Sequence, residues 1–155
     1  MTIKIVPMSA ADYQAYLAMI IPVYAAEKVQ AGNWTEAESL ERSRQEYEIH
    51  LPQGIKTPGQ SINNLVNELN EVVGFLWYGR LQKLAGIAFI YDFEIYAPFR
   101  RRGYAQQALE LLAEEAKAQG FKRLELHVFG QNTAARELYR KAGYIETNVN
   151  MARDL

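Results

Sequence analysis

The chain has 155 residues, of which 49% are hydrophobic, and this length suits one domain with a substantial core. Its net charge of -1 provides no global basic field of the kind that a non-specific nucleic-acid binder needs, so any cationic site must be local. There is no cysteine, which excludes disulfides, thiolate zinc sites and a cysteine nucleophile. With two histidines, we expect no metal.

The N-terminal third predicts a strand and two helices. IKIV alternates like a short strand, and Ser9 with Asp12 then gives a helix start. Pro22 should kink this first helix. The apolar stretch at residues 17–26 falls short of the ~20 residues of a membrane span, so we expect a cytoplasmic protein. The residues that share the apolar face of the first helix are Tyr13, Tyr16, Leu17, Ile20 and Tyr24.

A second helix is predicted after the loop AGNW. Thr35 and Glu38 form a capping box, and LPQG ends the helix. Its apolar positions are Leu40, Tyr47 and Leu51. The segments SINNLVN, VVGFLWYGR and GIAFIYDFEIYA then read as strands separated by polar turns, which predicts an antiparallel meander.

The C-terminal third predicts two further helices around one strand. The first helix follows FRRRGYA and ends at Gly120, KRLELHVF is the strand, and Asn132 caps a helix that Gly143 closes. A crossover helix of this length makes the two flanking strands parallel, and YIETNVNMARDL has extended character. The predicted buried stripes are Ala105, Ala108, Leu109, Leu112 and Ala116 in the first helix, and Ala135, Leu138, Tyr139 and Ala142 in the second.

The stretch FRRRGYA favours an anion site. A glycine turn that leads into a helix leaves backbone N–H groups unpaired, and residues 100–102 add three cations beside them. Without a bound anion, cations at a helix N-terminus oppose the helix dipole. A phosphate or pyrophosphate fits best, while a solvated surface patch is the alternative. The turn matches neither the P-loop nor the Rossmann fingerprint.

Two motifs together resemble the GNAT superfamily of acetyl-coenzyme-A-dependent N-acyltransferases. Arg100, Gly103 and Ala105 match its [RQ]-x-x-G-x-[GA] pyrophosphate loop. NTAARELYRKAGY is similar to its second motif, N-x-x-A-x-x-L-Y-x-x-x-G-[FY], in the expected order and spacing. The resemblance covers roughly residues 86–145.

The resemblance implies an α/β fold and an N-acetyltransferase activity. It implies one domain over residues 1–155, with acceptor-side helices at about 9–51 and an acetyl-coenzyme-A core at about 86–145. The expected sheet is mixed, with an antiparallel N-terminal meander, a parallel splayed strand pair and helices on both faces. The acetyl group would pass from acetyl-coenzyme A to a primary amine of a small molecule or peptide, directly and in a ternary complex.

The resemblance also assigns coenzyme-binding residues. The main chain at Ile95 would pair with the pantetheine arm, and Asn132 would hydrogen-bond it. Tyr139 would act as general acid for the leaving thiolate. From the residues alone, Tyr139 could instead be a core tyrosine and Asn132 only an N-cap. The pyrophosphate would lie in the Arg100 loop on the amides of Arg101, Arg102, Gly103, Tyr104 and Ala105.

The sequence offers more than one candidate for the general base. Glu94 lies on the strand beside the pantetheine region, and Asp92 shares its face by alternation. His127 lies where some relatives, such as ribosomal-protein N-terminal acetyltransferases, carry a glutamate base, and histidine titrates in a suitable range. We rank Glu94 above His127. A strand histidine with satisfied hydrogen bonds and a carboxylate paired with arginine are the alternatives.

The acceptor is predicted from charge and aromatic residues. Residues 34–48 hold five glutamates against two arginines, which suits a cationic acceptor such as a polyamine, an aminoglycoside-like amine or a lysine side chain. A solvated helix face is the alternative. Tyr24, Trp34 and Trp77 could form an aromatic wall over the substrate, or be core or dimer contacts.

Two other functional classes stay open at this point. A coenzyme-A-binding sensor without catalysis would keep residues 100–105 but would not need Tyr139 and a base. A nucleic-acid-binding domain could use the arginines on phosphates, but no stacking platform is evident around them. We expect no nucleic-acid or membrane partner, and the sequence allows a homodimer.

Overall fold

The computed structural model describes residues 2–81 and 84–155. A five-stranded sheet and four α-helices follow one another along the chain, with short 3-10 turns at Gly54–Lys56 and Ala97–Phe99. The elements in chain order are β1 (Lys4–Pro7), α1 (Ala10–Gln30), α2 (Glu36–His50), β2 (Gln60–Val66), β3 (Val72–Arg80), β4 (Ile87–Ile95), α3 (Tyr104–Ala118), β5 (Arg123–Leu126) and α4 (Thr133–Lys141).

The sheet has the order β1-β2-β3-β4-β5, and its first four strands form an antiparallel meander. β4 and β5 are parallel, with α3 as their crossover helix. The predicted mixed sheet is therefore confirmed.

β4 and β5 splay apart after a short ladder. Their pairing runs from Ile87 opposite Arg123 to Ile90 opposite Leu126. Tyr91 is an extra residue in the pairing of β4 with β3, and such a bulge bends a strand. Beyond it β4 continues to Ile95 with no β5 partner in the described chain. The predicted strand at residues 122–129 was too long, because pairing ends where the two strands diverge.

Both faces of the sheet are covered by helices. Alternation along β3 sends Leu76 and Tyr78 toward the α3 side, and Phe75 and Trp77 toward α1 and α2. The buried stripe of α3 is Tyr104, Ala108, Leu109, Leu112 and Ala116, close to the prediction.

The two N-terminal helices begin at the predicted caps. Ser9 Oγ accepts a hydrogen bond from the amide of Asp12 at 3.1 Å, and α1 continues as one helix through Pro22. On α2, Tyr47 and Leu51 are buried as predicted, whereas the prediction for Leu40 was wrong, because its side chain is exposed. Ser43 is buried there, and its hydroxyl donates to the carbonyl of Ile21 at 2.7 Å. A small residue at this position lets the two helices approach closely.

The C-terminal part is less covered than the rest of the chain. The predicted stripe of α4 is half-buried, and no side chain in residues 117–155 is fully buried. Residues 144–155 carry no helix or strand. Their predicted extended character forms no ladder here. In the described chain, no helix is both long and apolar enough to cross a membrane.

Candidate active site

The turn before α3 presents a row of backbone amides. Arg101 has φ +61° and Gly103, the N-cap of α3, has φ +83°. This backbone leaves the amides of residues 101–105 without an acceptor in the described chain. Successive unpaired amides at a helix N-terminus form an anion-binding concavity. The turn therefore fits a pyrophosphate through main-chain atoms.

Two of the three arginines turn back onto the protein. Arg100 Nε donates to the carbonyl of Ile95 at 2.8 Å, and its Nη2 forms an ion pair with Glu94 at 2.7 Å. Arg102 donates to the carbonyl of Pro98 at 3.1 Å and lies over the ring of Phe99. The cluster thus organises the turn as well as supplying positive charge.

The open edge of β4 lies beside this turn. The amide of Tyr96 donates to the carbonyl of Val73 at 2.8 Å, so the main-chain groups of Ile95 face the opposite edge, away from β3. β5 has already diverged at this level. The edge can accept an extended ligand as an added strand, as a pantetheine arm requires.

Tyr139 lies on α4 next to this edge. Its ring centroid is 6.5 Å from that of Phe93 on β4 and 5.6 Å from that of Tyr144. Burial, and then the proximity of Tyr144 and Asp92, raise the pKa of Tyr139 above its ordinary value. Its hydroxyl has no hydrogen-bond partner among the described residues, so it remains protonated and free to donate.

Asn132 caps α4. Its Oδ1 accepts a hydrogen bond from the amide of Ala135 at 3.1 Å, as predicted for an N-cap. Its side-chain Nδ2 has no partner among the described residues. The same side chain can therefore cap the helix and donate to a ligand.

Asp92 is enclosed by two tyrosines. Its Oδ2 accepts hydrogen bonds from the hydroxyls of Tyr16, on α1, and Tyr47, on α2, the latter at 2.7 Å. Burial, opposed by these hydrogen bonds and assisted by the negative charges of Glu27 and Glu94, raises the pKa of Asp92 to about 7. One carboxyl thus joins both helices to β4.

Acidic groups concentrate at this end of β4. Burial and the charge of Glu94 raise the pKa of Glu27 on α1. Glu94 is half-buried and held by Arg100, so the arginine-paired alternative for this carboxylate is realised in the structure. A positively charged group entering here would meet an excess of negative charge.

His127 lies just beyond the last residue of β5. It is exposed, and its ring meets that of Phe129 edge-on at 5.0 Å. Partial desolvation of the imidazole by neighbouring residues, and then the charge of Lys28, lower its pKa from the ordinary value. The imidazole is therefore neutral at pH 7.

The three aromatic residues predicted to line the acceptor site are placed differently from one another. Trp34 is buried, with the Tyr24 ring edge-on at 5.7 Å. Trp77 is buried, stacks on Tyr91 at 4.4 Å and donates from Nε1 to Gln60 at 2.8 Å. Tyr24 is half-buried and lies 6.3 Å from Phe129. Both tryptophans thus pack in the interior, while Tyr24 lies beside the chain that leaves β5.

Sequence reasoning did not assign site roles to Tyr16, Tyr47 or Glu27. The available signal was two tyrosines on predicted buried helix faces, because a buried tyrosine hydroxyl usually has a hydrogen-bond partner. The spacing did not reveal that partner, since Asp92 lies 76 residues from Tyr16 and 45 from Tyr47.

An amide turn at a helix N-terminus, beside two diverging parallel strands, defines the fold class of the coenzyme-A-dependent acetyltransferases. The family model described as "Acetyltransferase (GNAT) family" matches residues 24–144. The chain therefore belongs to the GNAT acetyltransferase family and is an acyltransferase.

Similar proteins agree with this assignment. The uncharacterized N-acetyltransferase YycN of Bacillus subtilis is 39% identical over 156 residues, with full coverage of both chains. A second one, YdgE, is 38% identical and covers 96% of this chain and 95% of its own. The crystal structure of YycN superposes with a TM-score of 0.94 over 99% of both chains. An acetyltransferase structure from Pyrococcus furiosus, at 25% identity, has a TM-score of 0.67 over 99% of both chains.

Proposed function

We propose that this protein transfers an acetyl group from acetyl-coenzyme A directly to a primary amine of a small molecule or peptide, in a ternary complex. One observation carries the proposal. The open edge of β4 joins an unpaired amide turn at one end and lies beside the free Tyr139 hydroxyl. Acetyl-coenzyme A supplies the acetyl group as an activated thioester.

The chain's own main-chain atoms do most of the binding. The amides of residues 101–105 hold the pyrophosphate, and the outward-facing main-chain N–H of Ile95, whose carbonyl is held by Arg100, aligns the pantetheine arm. The side-chain amide of Asn132 donates to the same arm. Holding the thioester in a fixed position converts a bimolecular reaction into an effectively unimolecular one.

Glu94 is the proposed general base, and Tyr139 the proposed general acid. An amine acceptor is protonated at neutral pH, so Glu94 removes a proton, directly or through water, before the nitrogen attacks. The ion pair with Arg100 orients the Glu94 carboxylate. Tyr139 then donates its proton to the sulfur as the carbon–sulfur bond breaks, and the remaining extra proton of the acylated nitrogen passes, directly or through water, to the tyrosine phenolate.

The acceptor is proposed to be a cationic amine. Many glutamates of α2 pair with arginines on the solvent side, as Glu38 does with Arg42 at 2.9 Å, and these support the solvated-face alternative. The carboxylates near β4 are arranged differently from those on the solvent side of α2. Burial, and then the charge of the nearby Glu94, raise the pKa of Glu27. That local field favours a cation on the α1 side of the site.

The test combines binding and turnover in one sample. Calorimetric titration with acetyl-coenzyme A comes first, followed by thiol release against a polyamine, an aminoglycoside and a lysine peptide. Binding with thiol release on one amine class is the expected result. Binding with no release on any amine would contradict the proposed acceptor, and absence of binding would contradict the proposed coenzyme site.

The assignment of the base has its own comparison. Glu94→Gln should lower kcat about 100-fold or more, the usual contribution of a general base, with little effect on coenzyme binding. His127→Gln is the matched variant and should keep near wild-type turnover. The reverse pattern would transfer the role to His127.

A further inference from the structure

The last quarter of the chain lacks the burial that the rest of the molecule has. No side chain in residues 117–155 is buried, although α3 directly before it buries a full stripe. Apolar side chains on β5 and α4, and on the residues directly beside them, pack against the core and still remain partly open. These side chains are Phe121, Leu124, Leu126, Leu138 and Tyr144.

β5 is an edge strand with an open outer side. It pairs with β4 on one side and has no ladder partner on the other among residues 2–81 and 84–155. An open edge is a ready template for pairing with another strand. Its exposed charges neutralise each other, because Arg123 and Glu125 form an ion pair at 2.7 Å. A neutral edge does not repel an incoming strand.

The segment after α4 has the pattern of the missing strand. Residues 145–155 carry no regular structure, and their apolar side chains do not reach the core of their own chain. Ile145 is 79% exposed, Val149 62% and Met151 92%. Their odd-numbered positions put all three on one face of an extended strand.

The start of this segment is tied to its own protomer. Glu146 pairs with Arg136 at 3.1 Å and with Arg140 at 2.7 Å, both on α4. The residues from 147 to the end then extend over at most roughly 30 Å. That reach is sufficient to lie along a strand as short as β5.

We propose that residues 145–155 of one copy pair with the outer edge of β5 in a second copy, reciprocally, to form a homodimer. The occupant is a second copy because each chain carries both an unpaired edge and an unpaired strand of alternating pattern. A twofold axis satisfies both at once. Val149 and Met151, which lie beyond the ion pairs of Glu146 with its own α4, then cover the partly open side chains of β5 and α4, the element that carries Tyr139.

The exchange is tested by cross-linking, for which the absence of cysteine is an advantage. Glu125→Cys on β5 and Asn148→Cys or Asn150→Cys in the tail place thiols on the face opposite the apolar residues. The single-cysteine variants are purified separately, mixed and mildly oxidised. We expect the disulfide between the two different variants to exceed either self-linked product. If the variant carrying both cysteines links only within one chain, the tail folds onto its own β5 and the proposal is overturned.

Oligomeric state gives a second measurement. We expect the wild-type protein to sediment as a dimer, and the double variant Val149→Asp, Met151→Asp to sediment at half that mass while keeping the helical signal of its circular dichroism spectrum. The control is Leu69→Asp, at a position that is 72% exposed in the turn between β2 and β3, and it should remain dimeric. A monomeric wild type, or a dimeric double variant, contradicts the proposal.

Discussion

Tyr139 is the residue whose proposed chemical role rests on a single atom. Its hydroxyl has no partner in the described chain, and its raised pKa keeps it protonated. Tyr139→Phe should lower kcat by about 100-fold, within the usual range for a general acid, and leave the Kd for acetyl-coenzyme A within a few-fold. Steady-state kinetics and calorimetry together measure the two effects.

Tyr144 provides the matched control for that substitution. It lies 5.6 Å from Tyr139, ring to ring, and burial raises its pKa to about 12. Its buried hydroxyl has no hydrogen-bond partner among residues 2–81 and 84–155, so Tyr144→Phe removes no hydrogen bond that the structure describes. The kcat of the Tyr144→Phe variant should equal that of the wild-type protein. An equal loss of rate in both variants would assign the effect to packing of α4.

At the residue scale, the sequence predicted the roles that adjacent positions encode. Asn132 was identified as a helix cap because the backbone amide that donates to its side chain lies only three residues away. The Tyr16–Asp92–Tyr47 cluster was not found, because its hydrogen bonds join distant parts of the chain. Only the fold brings such groups together.

At the scale of elements, α3 offers two glycines with the same backbone requirement. Gly103 precedes the helix with φ +83° and Gly120 follows it with φ +92°, and an added Cβ would meet no clash at either. Gly103→Ala should raise the Kd for coenzyme A at least tenfold, since the strained residue must move the amides that face the ligand. Isothermal calorimetry measures this change.

Gly120→Ala should leave that Kd unchanged while costing a similar amount of stability, about 1 kcal/mol, because the left-handed strain is the same. If Gly103→Ala and Gly120→Ala bound coenzyme A with the same Kd, the amide turn would not be part of the coenzyme site. The two glycines thus separate a loss of site geometry from a general loss of helix stability.

The types of the elements were predicted well, because the hydrophobic periodicity and the glycine and capping residues at element ends are local signals. β3 spans the predicted VVGFLWYGR segment, and the glycine ends of α3 and α4 were found. One position of the α2 face was predicted wrongly, since hydrophobicity favoured Leu40 whereas close helix packing selects Ser43. The end of β5 was also missed, because splaying depends on the neighbouring strand.

At the scale of the whole molecule, Asp92 joins α1, α2 and β4 and should make stability depend on pH. Its carboxyl has an ordinary pKa of 3.8 and a folded pKa of about 7. Below the lower value both states are protonated, so the contribution of Asp92 to stability is most favourable there. As pH rises to about 7, the unfolded state loses its proton first and is favoured. The difference corresponds to roughly 4 kcal/mol.

Asp92→Asn removes this titration. The wild-type free energy of unfolding, relative to that of the variant, should fall between about pH 4 and 7 and stay level above 7. Urea denaturation at several pH values measures it. Parallel pH curves for the two proteins would mean that Asp92 is ionised in the folded state across this range.

Arg100 has a consequence for the entropy of binding. Its guanidinium links the open end of β4 to the amide turn, through the Ile95 carbonyl and Glu94. A long, flexible ligand must be held both at the end of β4 and at the amide turn. If these two segments moved independently, each would have to be ordered when the ligand binds. Since one side chain already holds them together, much of that ordering is completed during folding, and more of the binding energy is left for affinity.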